Sequence, residues 1–387
     1  MPKVTKLSSI AFLLLLMQAS AVSSQSMLGY TDFHGDFYVY DTDRSVQLEH
    51  QQIQNVQYAS NSLAYISNTG DLKYYKNHKL LELSIANPKF YLNTDHYLYY
   101  GVGYSFSLFN GVKKEQLGFI QNHPFAFSDS IACMHDYAAY FYAYWKDAFV
   151  QLEAQPVKHC MAGDNVIAYA DANNQLKVFL WGESQVLETL PPYSFACGAN
   201  TVAYIDNYKY LKIFWQGDVF ETGNYTELFC ASGQNVFTIE DDFYCDAQLV
   251  VSETNLTPLF KTGDDLVAYI DSEDAFHIFY KGESREYHSS IPKMYEVTDN
   301  IVWWIDDNDF FHIFYDGIDV IVESYTPGKI KTDKNVVAYT DNYGKLKAFN
   351  KGESIEVSTS IVLDFQLNNE LVMYNSVPNK YQFYKLK

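Results

Sequence analysis

Seven aspartates, Asp32, Asp136, Asp171, Asp206, Asp271, Asp306 and Asp341, each stand two places after one repeated column of residues. A circle of such carboxylates could hold a divalent cation. The competing use is conformational, because an Asp opening a tight loop accepts backbone N–H bonds and tolerates turn geometry. Seven copies favour the turn, since a catalytic or metal site needs one asymmetric constellation. The densest acidic turn, Asp306-Asp307-Asn308-Asp309, lacks the distal glutamate of a calcium loop. His277 and His312 each sit in Phe-His-Ile-Phe, but the same position holds Lys73, Lys177, Lys212 and Lys347. The column therefore reads as a polar strand position reaching solvent, and no metal is assigned to it. Gly-Glu-Ser recurs at Gly182, Gly282 and Gly352 without continuing into a G-x-S-x-G elbow, so glycine reads as a turn and the next strand begins at Glu. With no H-E-x-x-H or Cys-x-x-Cys in the sequence, neither a catalytic residue nor a cofactor is expected.

The residues best suited to binding are Trp145, Trp181, Trp215, Tyr280 and Tyr315, which recur just past one strand, together with Glu183, Glu283 and Glu353. Flat aromatics beside carboxylates suit stacking on a sugar or gripping a protein loop. The alternative is packing between repeats, since 34 Tyr and 27 Phe must mostly enter the core.

These columns belong to a tandem array. Tyr30, Tyr65, Tyr99, Met134, Tyr169, Tyr204, Thr238, Tyr269, Trp304, Tyr339 and Tyr374 follow one another at spacings of 35, 34, 35, 35, 35, 34, 31, 35, 35 and 35 residues. Each unit reads as four short strands with turn residues between them, and helical periodicity is missing after the first two dozen residues. The anchor strand, apolar on both faces, reads as the innermost of its sheet. A four-residue loop after each Asp would set anchor +2 opposite +7, and the alanines at −1 opposite the large aromatics at +10. The unit from Asn235 to Asp264 is short and reads as lacking a strand or marking a seam.

A unit of this size cannot bury both sheet faces alone, so neighbours must stack. Over residues 27–387 the repeats resemble generic β-propeller repeats, although the Trp-Asp and kelch signatures are absent. The segment Tyr339-Thr-Asp-Asn-Tyr-Gly-Lys-Leu346 also resembles the Tyr-Asp repeats of large toxin-shell proteins, which have a shorter period. The expected fold is all-β, a propeller of about ten blades, with one large ring favoured over two five-bladed rings.

Composition narrows the partner. The net charge is −20 and Arg44 and Arg285 are the only arginines, which disfavours nucleic acid. Lysines in Met1–Lys6, the apolar run Ile10–Met17 and Ala19-Ser20-Ala21 read as a signal peptide over residues 1–21. No later stretch approaches about 20 continuous apolar residues, so a secreted or periplasmic protein without membrane insertion is expected. Of the cysteines at 133, 160, 197, 230 and 245, only Cys230–Cys245 reads as a bridge worth testing. The expected function is a non-catalytic scaffold for a glycan or protein partner. A hydrolase or lyase acting on a polysaccharide through carboxylates of different units, and a structural assembly part, are the alternatives.

Overall fold

The anchor column folds into the most buried strands of the chain. Ser62–Ile66, Thr201–Ile205, Leu266–Ile270 and Ile301–Ile305 are buried at every residue. Such strands need cover on both faces, and packed neighbouring sheets supply it. The computed structural model describes residues 26–120, 123–225, 229–233, 235–238, 242–245, 248–252, 260–264, 266–271 and 273–387. The leader expected over residues 1–21 lies outside them. Among the described residues there is no helix, and the strands form nine four-stranded and two three-stranded sheets.

We number the sheets as blades 1 to 11 in chain order, spanning 28–49, 55–84, 90–119, 126–153, 159–188, 194–225, 229–252, 260–288, 294–323, 330–361 and 364–385. Within each sheet every strand pairs with the next in sequence, and first strands of neighbouring blades touch, as His159–Gly163 touches Ser194–Cys197. First strands therefore line the axis. The anchor strand is second from the axis rather than innermost, because the last strand of each sequence unit becomes the inner strand of the following blade. Blade 7 has four strands despite its short unit. Within it Cys230 and Cys245 lie on strands separated by Asn235–Thr238, about 9.6 Å apart at two strand spacings, too far for a disulfide. The side chains of Cys230 and Cys245 lie outside the described residues, while Cys133, Cys160 and Cys197 are free thiols.

Apolar clusters join successive blades from blade 1 to blade 7 and from blade 8 to blade 11. Phe37 and Val39 pack with Leu63 and Tyr65 between blades 1 and 2, and Val372 and Phe365 pack with Val336 and Leu346 between blades 10 and 11. The last blade then meets the first, where Leu371 and Met373 bury Leu28. The blades form one ring, and two five-bladed rings are excluded. Among the described residues blade 1 lacks an inner strand and blade 11 an outer one. Across the gap the Asn368 side-chain amide donates to the Met27 carbonyl at 2.7 Å.

The turns correct the expected register by one residue. Ala168 faces Val178 rather than Phe179, and Tyr169 faces Lys177. The physical reason is a shorter loop: Asp171 N–H donates to the Gln175 carbonyl at 3.0 Å, and Asn174 takes a left-handed φ of 64°, leaving three loop residues. Asp171 Oδ1 accepts from the N–H groups of Asn173 and Gln175 at 2.8 and 2.9 Å, and Asp206, Asp271, Asp306 and Asp341 repeat this cap. These aspartates are turn residues, as their repetition indicated.

The register also creates a latch between blades. Facing each other across one hairpin, the anchor tyrosine and the lysine both reach a glutamate at the end of the preceding blade. Tyr65 and Lys73 bond Glu49 at 2.7 and 2.6 Å; Tyr169 and Lys177 bond Glu153 at 3.1 and 2.6 Å. Tyr204 with Lys212 on Glu188, and Tyr339 with Lys347 on Glu323, repeat the arrangement. The lysine side chains are only 15–24% exposed, so this column does not reach solvent. Burial alone would lower the Lys177 ammonium, but its bonds to Glu153 and Asp171 outweigh that and hold it above the usual lysine range.

Candidate functional site

Trp145, Trp215, Tyr280 and Tyr315 end the third strand of their blades, where two-residue turns lead into the fourth, and Trp181 is itself the first residue of such a turn. Both turn residues take positive φ, as at Trp181 (52°) and Gly182 (97°), matching the twist of the flanking strands. Trp145, Tyr280 and Tyr315 are half-buried and lean on the next blade, with ring centroids 5.9, 5.3 and 6.2 Å from Phe179, Phe314 and Phe349. Trp215 is half-buried near Phe220. Trp181 stands apart at 54% exposure. Glu183, Glu283 and Glu353 are exposed at the adjoining turns. Only Tyr280 and Glu283 are brought together, and with Lys281, Arg285 and Asp316 they border a pocket of about 360 Å³. There the Tyr280 hydroxyl donates to Asp316 at 2.9 Å, and bonds from Lys281 and Tyr280 hold the Asp316 carboxyl below the usual carboxylate range.

A larger opening lies elsewhere, against the inner strands of blades 8, 9 and 10. This cleft of about 580 Å³ is walled by Ile291, Met294, Tyr295, Trp303 and Pro327, with Lys261, Lys293 and Glu296 as its charged members. Lys261 Nζ lies 4.9 Å from the Tyr295 ring centroid and 2.8 Å from Glu296. Trp303 occupies the column that holds Ala64, Ala168, Ala203, Ala268 and Ala338 in other blades. Its ring is 6% exposed, and its indole N–H has no hydrogen-bond partner among the described residues. A buried donor without an acceptor is costly, so this tryptophan is held by packing rather than by hydrogen bonding. The sequence signal was available as the largest residue in a column that is alanine in five units and otherwise holds Gly29, Leu98, Cys133, Phe237 and Met373.

Carboxylates do gather around the channel, but at the turns between first and second strands. These turns form a hydrogen-bonded belt: Asn200 N–H donates to Asp164 O, Asp264 N–H to Asp299 O, and Asn369 N–H to Asp333 Oδ2. Burial, then the neighbouring carboxylates Asp129 and Asp264, raise Asp164; burial and Asp264 raise Asp299. Lys334 crosses from blade 10 to Asp95 of blade 3 at 2.8 Å and to Ser60 of blade 2 at 2.5 Å. Sequence reasoning passed over this column, although Asp129, Asp164, Asp264 and Asp299 all stand five places before their anchors.

Similarity to known proteins follows the architecture. A computationally designed protein, Ika8, is 12% identical, covering 84% of this chain and 99% of its own, with a TM-score of 0.33. PorZ, a surface component of the type-IX secretion system of Porphyromonas gingivalis, is 8% identical over 92% of this chain and 63% of its own, with a TM-score of 0.30. The CRINKLY WD40 ectodomain of the Arabidopsis thaliana receptor kinase ACR4 is 10% identical over 70% and 95%, also at 0.30. No curated protein matches the sequence closely enough to count as a relative. The profile of one domain family matches residues 18–123, 114–247 and 228–386, nearly the whole array. With nine complete blades and a three-stranded blade at each end of a closed ring, this chain belongs to the 10-bladed beta propeller domain family.

Proposed function

We propose that this propeller is an exported, non-catalytic scaffold that seats an apolar segment of a partner protein in the cleft of blades 8 to 10. Propeller folds generally mediate protein interactions, and the observation that carries the finer reading is Trp303. A tryptophan replaces the repeat's alanine, borders an apolar cleft and keeps an unanswered N–H. A docked segment carrying an apolar side chain fills the cleft that this ring borders. Exposed Met294 and Ile291 at the cleft supply adaptable apolar contact, and Lys261, Lys293 and Glu296 supply charge for orientation. Export rests on the leader-like residues 1–21 and is tested by whether the extracellular or periplasmic protein begins near residue 22.

The test places a photo-crosslinking residue at Met294 of the full chain and exposes it to the extracellular proteins of the organism that encodes it. A discrete protein adduct that disappears with Trp303→Ala is the expected result. That substitution restores the residue other blades carry, so the ring should stay folded, which circular dichroism checks. Failure to form any adduct, together with glycan-array binding removed by Trp181→Ala, would replace the protein partner by a sugar.

A further inference from the structure

The seam between blades 8 and 9 breaks the latch at three of its four positions. Where four other seams, those before Tyr65, Tyr169, Tyr204 and Tyr339, carry glutamate, tyrosine and lysine, this one carries His288, Trp304 and His312, and only the turn aspartate, Asp306, is retained. From the geometry of these replacements we propose that the seam is a binding site for a divalent transition-metal ion of the zinc type, held by His288, His312, Asp306 and Asp307.

Three of the four ligand atoms are already convergent. One atom each from His288, Asp306 and Asp307 lie within 4.8 Å of one another, and His288 Nε2 stands 3.0 Å from Asp307 Oδ1. Asp306 has one oxygen to offer, because Oδ1 accepts the N–H groups of Asn308 and Phe310 at 2.9 and 2.7 Å, leaving Oδ2 to face the seam. His312 approaches from the other side. It is nine-tenths buried, its Nε2 has no hydrogen-bond partner among the described residues, and Asp306 Oδ2 lies 3.7 Å from it. One ion at bonds of about 2.0–2.2 Å to each can span that gap.

The second nitrogen of His312 strengthens the argument. Nδ1 sits 3.1 and 3.2 Å from the two carboxylate oxygens of Asp319. A proton on Nδ1 satisfies that carboxylate and leaves Nε2 as a bare lone pair aimed at Asp306. A carboxylate on the far nitrogen is how metal-binding histidines are commonly oriented and made more basic. Trp304 stacks on the same imidazole, with centroids 4.7 Å apart and planes 13° from parallel, fixing the ring's orientation. Two imidazoles with two carboxylates favour zinc-type ions over calcium or magnesium, which take oxygen donors.

The competing arrangement is a protonated His312 that merely replaces the latch lysine, and the experiment separates the two. The full chain, stripped with chelator, is titrated with Zn²⁺ by calorimetry and compared with a double variant, His288→Glu with His312→Lys, that rebuilds the ordinary latch. One Zn²⁺ per chain with micromolar or tighter affinity, a raised Tm on loading, and loss of both in the folded double variant are expected. Co²⁺ substitution should give a spectrum of nitrogen and oxygen ligation without a thiolate charge-transfer band, distinguishing this seam from the buried cysteines. No stoichiometric Zn²⁺ in the wild-type chain, or equal binding by the double variant, would overturn the proposal. Because Trp303→Ala leaves all four ligands in place, a lost partner and a lost metal are separate outcomes.

Discussion

The joint between blades 1 and 2 and the joint between blades 8 and 9 are built on the same hairpin geometry and filled with different chemistry. In the first, Glu49 is the common acceptor of the Tyr65 hydroxyl and the Lys73 ammonium, so one anion is satisfied by two donors from the adjoining blade. In the second, an imidazole replaces the anion, a stacked indole replaces the phenol, and His312 is left with one nitrogen bonded and one bare. The lesson is that a position serving cohesion in four copies can carry different chemistry in another. Such a replacement is affordable because each blade still buries its apolar faces against both neighbours.

Removing the shared anion is the most direct way to break the comparison. Glu49→Ala should destabilise the ring by about 3 kcal/mol in denaturant unfolding, since it strands a mostly buried ammonium and a buried hydroxyl together. Glu188→Ala should cost less, because Lys212 keeps Asp206 and Glu221 at 3.3 Å each. A Glu49→Ala loss no larger than that of a surface substitution would show that the latch is ornamental.

A second contrast concerns blade 4, where the anchor is Met134 and a neutral histidine does the joining. His135 Nδ1 lies 3.1 Å from the Pro124 carbonyl, and its Nε2 accepts the Val157 N–H at 3.1 Å. Burial, with His123 beside it, pushes His135 down to about 4. A depressed histidine contributes full stability above its unfolded value near 6.5, and loses it as pH falls from there to about 4. Unfolding followed against pH should steepen in that window, by at most roughly tenfold in the folding equilibrium per pH unit. His135→Gln should flatten the profile there, and an unchanged slope would refute the assignment.

The smallest expected effect sharpens the latch itself. Tyr65→Phe removes one hydroxyl and leaves Lys73 on Glu49, so the loss should be near 1 kcal/mol in the same unfolding assay. A value approaching that of Glu49→Ala would mean that the phenol, rather than the ammonium, carries the joint.

Much of this architecture was legible from spacing. The anchor column marks the buried strands, and the repeated Asp and Gly turns were read by their chemistry. What failed was local geometry. The loop after Asp171 was taken one residue too long because a left-handed Asn174 leaves little trace in composition. The inner strand was misassigned because first strands such as Ser194–Cys197, half open to the channel, have weaker apolar patterns than the anchor strands beside them. Trp145, Tyr280 and Tyr315 read either as recognition residues or as packing between repeats, and their contacts with the next blade are a tertiary fact that spacing does not carry. The stacking of His312 on Trp304 is likewise invisible in a column that otherwise holds lysines.

The way the ring shuts has a mechanical consequence. Among the described residues no strand from the start of the chain completes the final blade, so the clasp there consists of Leu28 under Leu371 and Met373, with the Asn368 amide on Met27, in place of a shared ladder of backbone bonds. Tension applied at the two termini would load that clasp by peeling side chains one after another, rather than by shearing a sheet. Such a bracelet opens at its fastening under modest force, while the links between remain whole.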